Sequence, residues 1–251
     1  MTSSFTMNSF LGKQILALVR QGNYAHAGEE EAIELAMAGL PKDPERTLLD
    51  AGCGRGGTAA YMQEHGWGHV TGIDIEPRSI ENARKDHPGI RFETCDIAEV
   101  AGLFDLRFDA VTMFNVLYAL ADHKTALEAL AKVACPGAVL MIFDYVDPSD
   151  YRRHEVREGD GAFLPNPIRE DRIAPDLLDA GWSLLEKRDI SDAYVDWYEQ
   201  LVAKISSRRA EIEALAGSDG YESVLERYSG LLDVLRAGHL AGYVVYAERN
   251  E

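Results

Sequence analysis

The chain has 251 residues, is 46% hydrophobic, and carries 25 Lys and Arg against 42 Asp and Glu, for a net charge of -17. Such a length and apolar content suit one large α/β domain with a full core and exclude a disordered chain. The acidic balance argues against nucleic acid and anionic membrane as partners, since both are bound mainly through Lys and Arg.

The opening stretch, MTSSFTMNSFLGKQILALVR, is too broken by polar residues for a signal peptide. No apolar run approaches the roughly 20 residues needed to span a bilayer. Cys53, Cys95 and Cys135 have neither metal-ligand spacing nor the even count of a disulfide framework. They read as three small buried residues, and the chain as a soluble cytoplasmic protein.

From Thr47 onward short apolar runs alternate with helical patterns, the mark of βαβ units. RTLLDAG predicts a first strand and TAAYMQEHG its helix, stopped by Gly66. HVTGIDI predicts a second strand, and Pro77 suits the first turn of the helix PRSIENARKDH. IRFETCD and FDAVTMF predict strands three and four. DHKTALEALAKVA predicts a helix ended by Pro136-Gly137, and AVLMIFDYV a central fifth strand. Residues 148–170 are polar and predict a long loop, followed by a short helix RIAPDLLDAG and a sixth strand WSLLEKRDI. Two amphipathic helices come next, separated by GSDG at 217–220. Trp197, Leu201 and Ile205 share one face of the first; Val224, Tyr228, Leu231 and Leu235 share one face of the second. AGYVVYAER closes the pattern as a seventh strand. The expected fold is a seven-stranded, mostly parallel sheet with helices on both faces and a helical cover inserted before the last strand.

The chemistry concentrates in LLDAGCGRGGT, residues 48–58. Gly52, Gly54 and Gly57 spell G-x-G-x-x-G, and Asp74 lies 20 residues after Gly54, as a dinucleotide site would require. Asp50 points elsewhere, because a carboxylate beside the turn repels a pyrophosphate but welcomes an ammonium or sulfonium. Asp96, at the end of strand three, is suited to accept from an exocyclic amine. Acids ending strands one, two and three line the crevice where open α/β sheets bind ligands. A ligand with a zwitterionic amino acid, a ribose and an adenine, and no phosphate, matches all three: S-adenosyl-L-methionine.

LLDAGCGRGG, GIDIE, CDI and FNVLYAL resemble, in order, the motifs of class I S-adenosylmethionine-dependent methyltransferases over residues 47–145. The resemblance implies a Rossmann-like fold and cofactor contacts at Asp50, Gly52, Gly54 and Asn115. It places the ribose on Asp74 and the adenine near Ile75, Asp96 and Ile97. GNYAHAGEEEAIELAM, IFDYVD and GYVVYA are similar to segments of the phosphoethanolamine N-methyltransferases. There an upstream Tyr, here Tyr24, is paired with a His after strand four, where this chain has Tyr118. The basic residue their last strand offers to phosphate has no clear counterpart. The implied organisation is a single domain: 1–46 capping the site, 47–147 holding the cofactor, 148–240 forming the substrate side, and 241–251 closing the sheet.

The activity expected is in-line methyl transfer to a small-molecule acceptor, most simply an amine nitrogen, with no metal required. Tyr24, His26 and Tyr118 are the candidates to take or relay the amine proton. Tyr24, Tyr118, Tyr145, Tyr194 and Trp197 would wall the growing ammonium charge. Arg152, Arg153, Arg157, Arg169 and Arg172 offer themselves to a substrate carboxylate. Transfer to oxygen, sulfur or carbon is the nearest alternative, and an NAD-dependent oxidoreductase a distant one.

Overall fold

The computed structural model describes residues 6–7, 9–105, 107–158 and 160–251. Two helices come first, α1 (Phe10–Arg20) and α2 (Glu29–Met37). The expected alternation follows: β1 (Thr47–Ala51), α3 (Gly57–Glu64), β2 (His69–Asp74), α4 (Pro77–Asp86), β3 (Arg91–Thr94), β4 (Phe108–Phe114), α5 (His123–Val133) and β5 (Ala134–Asp147). Three two-residue strands come next, β6 (Arg157–Glu158), β7 (Gly161–Ala162) and β8 (Ile168–Arg169). Then come α6 (Ile173–Asp179), β9 (Trp182–Asp189), α7 (Ser191–Ser207), α8 (Arg209–Arg236) and β10 (Ala241–Arg249).

The sheet runs in the order β3-β2-β1-β4-β5-β10-β9. Strands β1 to β5 are parallel, while β10 lies antiparallel between β5 and β9. The seven long strands match the expected count, and β8 adds a short eighth by pairing with β5. Strand order reverses between β1 and β4, so a crevice opens at their carboxyl ends.

Alternation along each strand sends side chains to opposite faces and builds two cores. Leu48, Phe92 and Phe143 pack beneath α1, α2, α3, α4, α7 and α8. Their neighbours Leu49, Val111, Leu140 and Trp182 pack against α5 and α6. Local signals set the helix starts. Pro77 opens α4, and the Glu76 carboxylate accepts from the N–H groups of Arg78 and Ser79 at 3.1 and 2.6 Å.

Three boundaries differ from expectation. The helix before β5 ends at Val133, and Pro136-Gly137 falls inside β5, where the pairing with β4 shifts register and Gly137 takes φ +76°. A bulge takes up the missing N–H of the proline without ending the strand. The stretch 148–170 is no structureless loop, holding a 3-10 turn at Tyr151–Arg153, the β6–β7 hairpin and β8. The two cover helices separate at Arg208, and GSDG lies within α8, where Gly217 (φ 76°, ψ 172°) kinks it. Of the cysteines Cys53 is buried, whereas Cys95 and Cys135 are half-buried.

Candidate active site

Asp50 is the penultimate residue of β1, in its buried run, and is only 2% exposed. Its Oδ1 accepts from the Thr112 hydroxyl at 3.0 Å, and its Oδ2 has no partner among the described residues. Burial, with the Asp74 charge adding to it, pushes its carboxyl up to about 7 despite the Thr112 bond. An isolated buried carboxylate of this kind calls for a cation. The turn that follows takes φ +83° at Gly52 and +55° at Gly54, and a Cβ on Gly52 would overlap Val116. Its amides are not free for a ligand. Those of Gly52 and Cys53 both donate to the Ile73 carbonyl at 2.8 Å, and that of Gly54 donates to Asp74 Oδ2 at 2.8 Å. What the turn offers is bare backbone at Gly52 and Gly54.

Asp74 ends β2 beside this turn, and its Oδ1 also accepts from the Glu76 N–H at 2.9 Å. The Lys13 ammonium of α1 reaches across to it, 3.3 Å from Oδ1 and 3.5 Å from Oδ2. Ile75, next in the chain, is 68% exposed at the crevice mouth, an apolar platform of the kind a purine covers. Asp96 Oδ1 caps the following 3-10 turn by accepting from the Ala98 N–H at 2.9 Å, and Ile97 is buried. Lys13, Leu16, Tyr24 and Ala25 close over Gly54 and Arg55, leaving a slit of about 10 Å³. The N-terminal segment therefore roofs the crevice in this conformation. Arg55 borders the slit, and its Nε has no partner among the described residues.

Asn115, just past β4, has φ 52°, a left-handed conformation that Asn tolerates better than most residues. Its Nδ2 donates to the Tyr194 hydroxyl at 3.1 Å, and its Oδ1 is buried without a partner among the described residues. Below it Asp144, in the middle of the apolar run of β5, is buried. One of its oxygens accepts from the N–H groups of Val116, Leu117 and Tyr118 at 2.9, 2.7 and 3.4 Å, and the other from Tyr145 at 2.7 Å. This carboxylate is the post on which the 115–118 turn is hung. Asp144→Ala is expected to lower stability by about 2–4 kcal/mol, since it strands several buried donors. Denaturant unfolding checks it, and a loss under about 0.5 kcal/mol would show the turn to be held otherwise.

His26 is 1% exposed and sandwiched against Phe114, with ring centroids 4.9 Å apart. Its Nδ1 lies 3.1 Å from the Ala27 carbonyl and its Nε2 3.0 Å from the Thr58 hydroxyl. The carbonyl can only accept, so Nδ1 carries the proton and Nε2 accepts from Thr58. Burial pulls this imidazole down to about 3, leaving it neutral and tying the roof to the first turn of α3. Tyr24 points outward, its hydroxyl donating to Glu30 at 3.1 Å. Tyr118 points inward, 8% exposed, its ring meeting that of Tyr145 edge-on at 5.1 Å. The three proton-handling candidates are therefore not gathered at one point.

Behind Tyr118 lies a buried aromatic wall. Tyr145 and Tyr198 are hydrogen-bonded through their hydroxyls, Tyr194 meets Tyr145 edge-on at 5.5 Å, and Tyr228 stacks on Tyr198 at 6.2 Å. Trp197 is the floor beneath Gly28, whose φ of +80° and lack of a Cβ let the chain pass over the indole. Burial holds the hydroxyls of Tyr145, Tyr194 and Tyr198 above the ordinary phenol value, so they stay protonated at neutral pH. Two buried arginines adjoin this region: Arg20, bonded to the Tyr24 carbonyl at 3.1 Å, and Arg227, paired with Glu158 at 3.2 Å. Arg157, Arg169 and Arg172 are instead engaged at the surface by Glu155, Asp171 and Asp176, and Arg152 and Arg153 are exposed. Sequence reasoning passed over Lys13, Arg20, Asp144 and Tyr198. Only Asp144 left a signal, as the single acid inside the run VLMIFDYV.

The crevice thus presents a buried acid, an acid set for hydroxyls, an exposed apolar ledge and a turn bare of side chains at Gly52 and Gly54, which together fit S-adenosyl-L-methionine. A profile described as methyltransferase domain matches residues 24–187. An O-methyltransferase of Pyrenophora dematioidea is 29% identical over 181 residues, 64% of this chain and 66% of that protein. A phosphoethanolamine N-methyltransferase of Triticum aestivum is 24% identical over 207 residues, 79% of this chain and 40% of its own length. A 24-methylenesterol C-methyltransferase of Oryza sativa is 25% identical over 190 residues, 69% of this chain and 50% of that protein. The matches thus cover 40% to 66% of these relatives' lengths. In fold the chain is similar to phosphoethanolamine N-methyltransferase 2 of Haemonchus contortus, solved with S-adenosyl-L-methionine, at a TM-score of 0.81 and 14% identity over 98% of this chain and 58% of that one. Among the described residues no helix is long and apolar enough to cross a membrane.

Proposed function

The chain belongs to the methyltransferase domain family, and from that premise we propose that it transfers a methyl group from S-adenosyl-L-methionine to a small molecule, at an amine nitrogen. The observation that carries the cofactor half is the unpartnered Oδ2 of buried Asp50 beside the glycine turn. The cofactor, when bound, supplies an electrophilic methyl on a sulfonium. Asp50 meets its ammonium end, Asp74 its ribose hydroxyls, and Ile75 the face of its adenine. Titration calorimetry is expected to give one site with Kd at or below about 100 µM, and no binding at that concentration would sink the reading.

The amine assignment rests on the aromatic wall. The rings of Tyr118, Tyr145 and Tyr194 favour a growing ammonium charge by about 0.5–2 kcal/mol each, and the hydroxyls of Tyr145 and Tyr194 stay protonated. A neutral amine brings its own lone pair and needs its N–H groups held by acceptors, a task protonated phenols perform. An alcohol would need a base, and the nearby imidazole, His26, has both nitrogens committed. The enzyme's work is then alignment and the exclusion of water. Tyr118→Phe is expected to lower kcat at least about tenfold while changing cofactor Kd less than about twofold. Equal losses in both would make Tyr118 a cofactor or packing residue. Labelled methyl from a mixed acceptor pool is expected in amine products, and label recovered only as an ether would reject nitrogen.

A further inference from the structure

We propose that Asp150, His154 and His239 form a divalent-cation site, suited to zinc, that clasps the segment after β5 to the turn between α8 and β10. The three side chains come from distant parts of the chain, yet one ligand atom of each lies within 4.8 Å of the others. The β5–β10 pairing brings them together, because Val146 is in register with Ala241. Asp150 then follows β5 by three residues and His239 precedes β10 by two.

Asp150 stands between the two imidazoles. Its Oδ2 is 3.6 Å from His154 Nε2, and its Oδ1 is 3.4 Å from His239 Nδ1. The rings stack face to face, with centroids 3.5 Å apart and planes 3° from parallel. Ligands about 2.0–2.2 Å from a tetrahedral zinc lie roughly 3.3–3.5 Å from one another, so the set, now within 4.8 Å, has at most about 1.5 Å to close. The backbone around each ligand is fixed. The His154 N–H donates to the Tyr151 carbonyl at 2.8 Å, the Arg153 N–H to Asp150 at 2.9 Å, and the His239 N–H to Val234 at 3.0 Å. Asp147 Oδ1 holds the start of the turn by accepting from Ser149 and Tyr151 at 2.9 and 3.1 Å.

Metal binding asks that the rings turn about their soft terminal torsions to bring the nitrogen lone pairs out of parallel, and that the ligand atoms close from within 4.8 Å. Side-chain exposures of 33%, 39% and 32% for Asp150, His154 and His239 leave room for a water in the fourth position. Two imidazoles and one carboxylate select zinc, nickel or copper over magnesium and calcium, which take oxygen. The cluster shares the carboxyl end of the sheet with the crevice but contributes nothing to it. Its effect would be mechanical, pinning the exit of the cover helix to the loop beside the acceptor side.

The test uses tag-free, chelator-stripped protein titrated with zinc chloride, and with cobalt for its visible absorption. One zinc per chain, a rise in Tm and a tetrahedral cobalt spectrum are expected. The His154→Ala/His239→Ala variant should weaken binding at least about tenfold and lose the Tm rise. The Asp150→Asn variant, which keeps both rings, should also bind more weakly and with an altered cobalt spectrum. Absence of saturable binding in the wild type, or unchanged binding in these variants, would overturn the proposal; the latter would put the metal elsewhere, such as on the cysteines.

Discussion

Asp50→Asn is expected to stabilise the ligand-free protein at neutral and higher pH while weakening S-adenosyl-L-methionine binding roughly 10- to 100-fold. Burial raises the folded-state value of this acid from 3.8 to about 7. Its stabilising contribution is thus fully present below about 3.8, where the group is protonated folded or unfolded. That contribution is lost as pH climbs toward 7, because the folded protein then has to hold a buried charge. The asparagine keeps an oxygen for Thr112 and never ionises, so it should gain about 1–3 kcal/mol at pH about 8 and little at about 4. Thermal unfolding at both pH values, beside calorimetry with the cofactor, checks both halves. A variant that loses stability at the higher pH and binds normally would mean that the carboxylate serves only the fold. The opposition of the two effects is characteristic of a group kept for its ligand rather than for folding.

Asp74 and Lys13 should move cofactor affinity in opposite directions. Asp74→Ala removes the oxygens that a ribose would use and also strands the Gly54 N–H. The expected loss is at least about 100-fold in Kd, since two hydrogen bonds and a buried donor are involved. Lys13→Ala frees the same oxygens from an ion pair at 3.3 Å that the ribose has to displace. The pair is partly screened and worth roughly 0.5–1.5 kcal/mol, so Kd should fall about two- to tenfold. That gain should shrink as salt is added to the wild-type measurement. Weaker binding by Lys13→Ala would instead make the ammonium a direct partner of the cofactor, and the competition would be discarded.

The frame of the fold was legible in the sequence because its signals are local. Apolar runs bounded by Gly, Pro and Asp put β1, β2 and β4 within a residue or so of where they lie, and placed Asp50, Asp74 and Asp96 at strand ends. Local punctuation failed where pairing outweighs it. Pro136-Gly137 reads as a stop, yet pairing with β4 on either side of it, at Ala134 and Val139, carries β5 past it through a register shift. The site was legible only in part, for the same reason. Lys13 meets Asp74 across 61 residues, and Tyr145 meets Tyr198 across 53, contacts that no periodicity announces. His26 reads as a candidate proton relay because nothing near it in sequence reveals that Phe114 and Phe143 enclose it.

Helices α7 and α8 are spliced between β9 and β10, which are hydrogen-bonded to each other along their length. Both feet of that arch are bolted into the sheet, so it can flex but cannot swing clear. The N-terminal segment is held to the sheet by side chains instead. Lys13 of α1 pairs with Asp74, His26 bonds Thr58, Gly28 packs on Trp197, and the Tyr246 hydroxyl of β10 bonds Ala36 and Gly39. Strand pairing thereby anchors one wall of the crevice, while side-chain contacts hold α1 and the segment after it against the other.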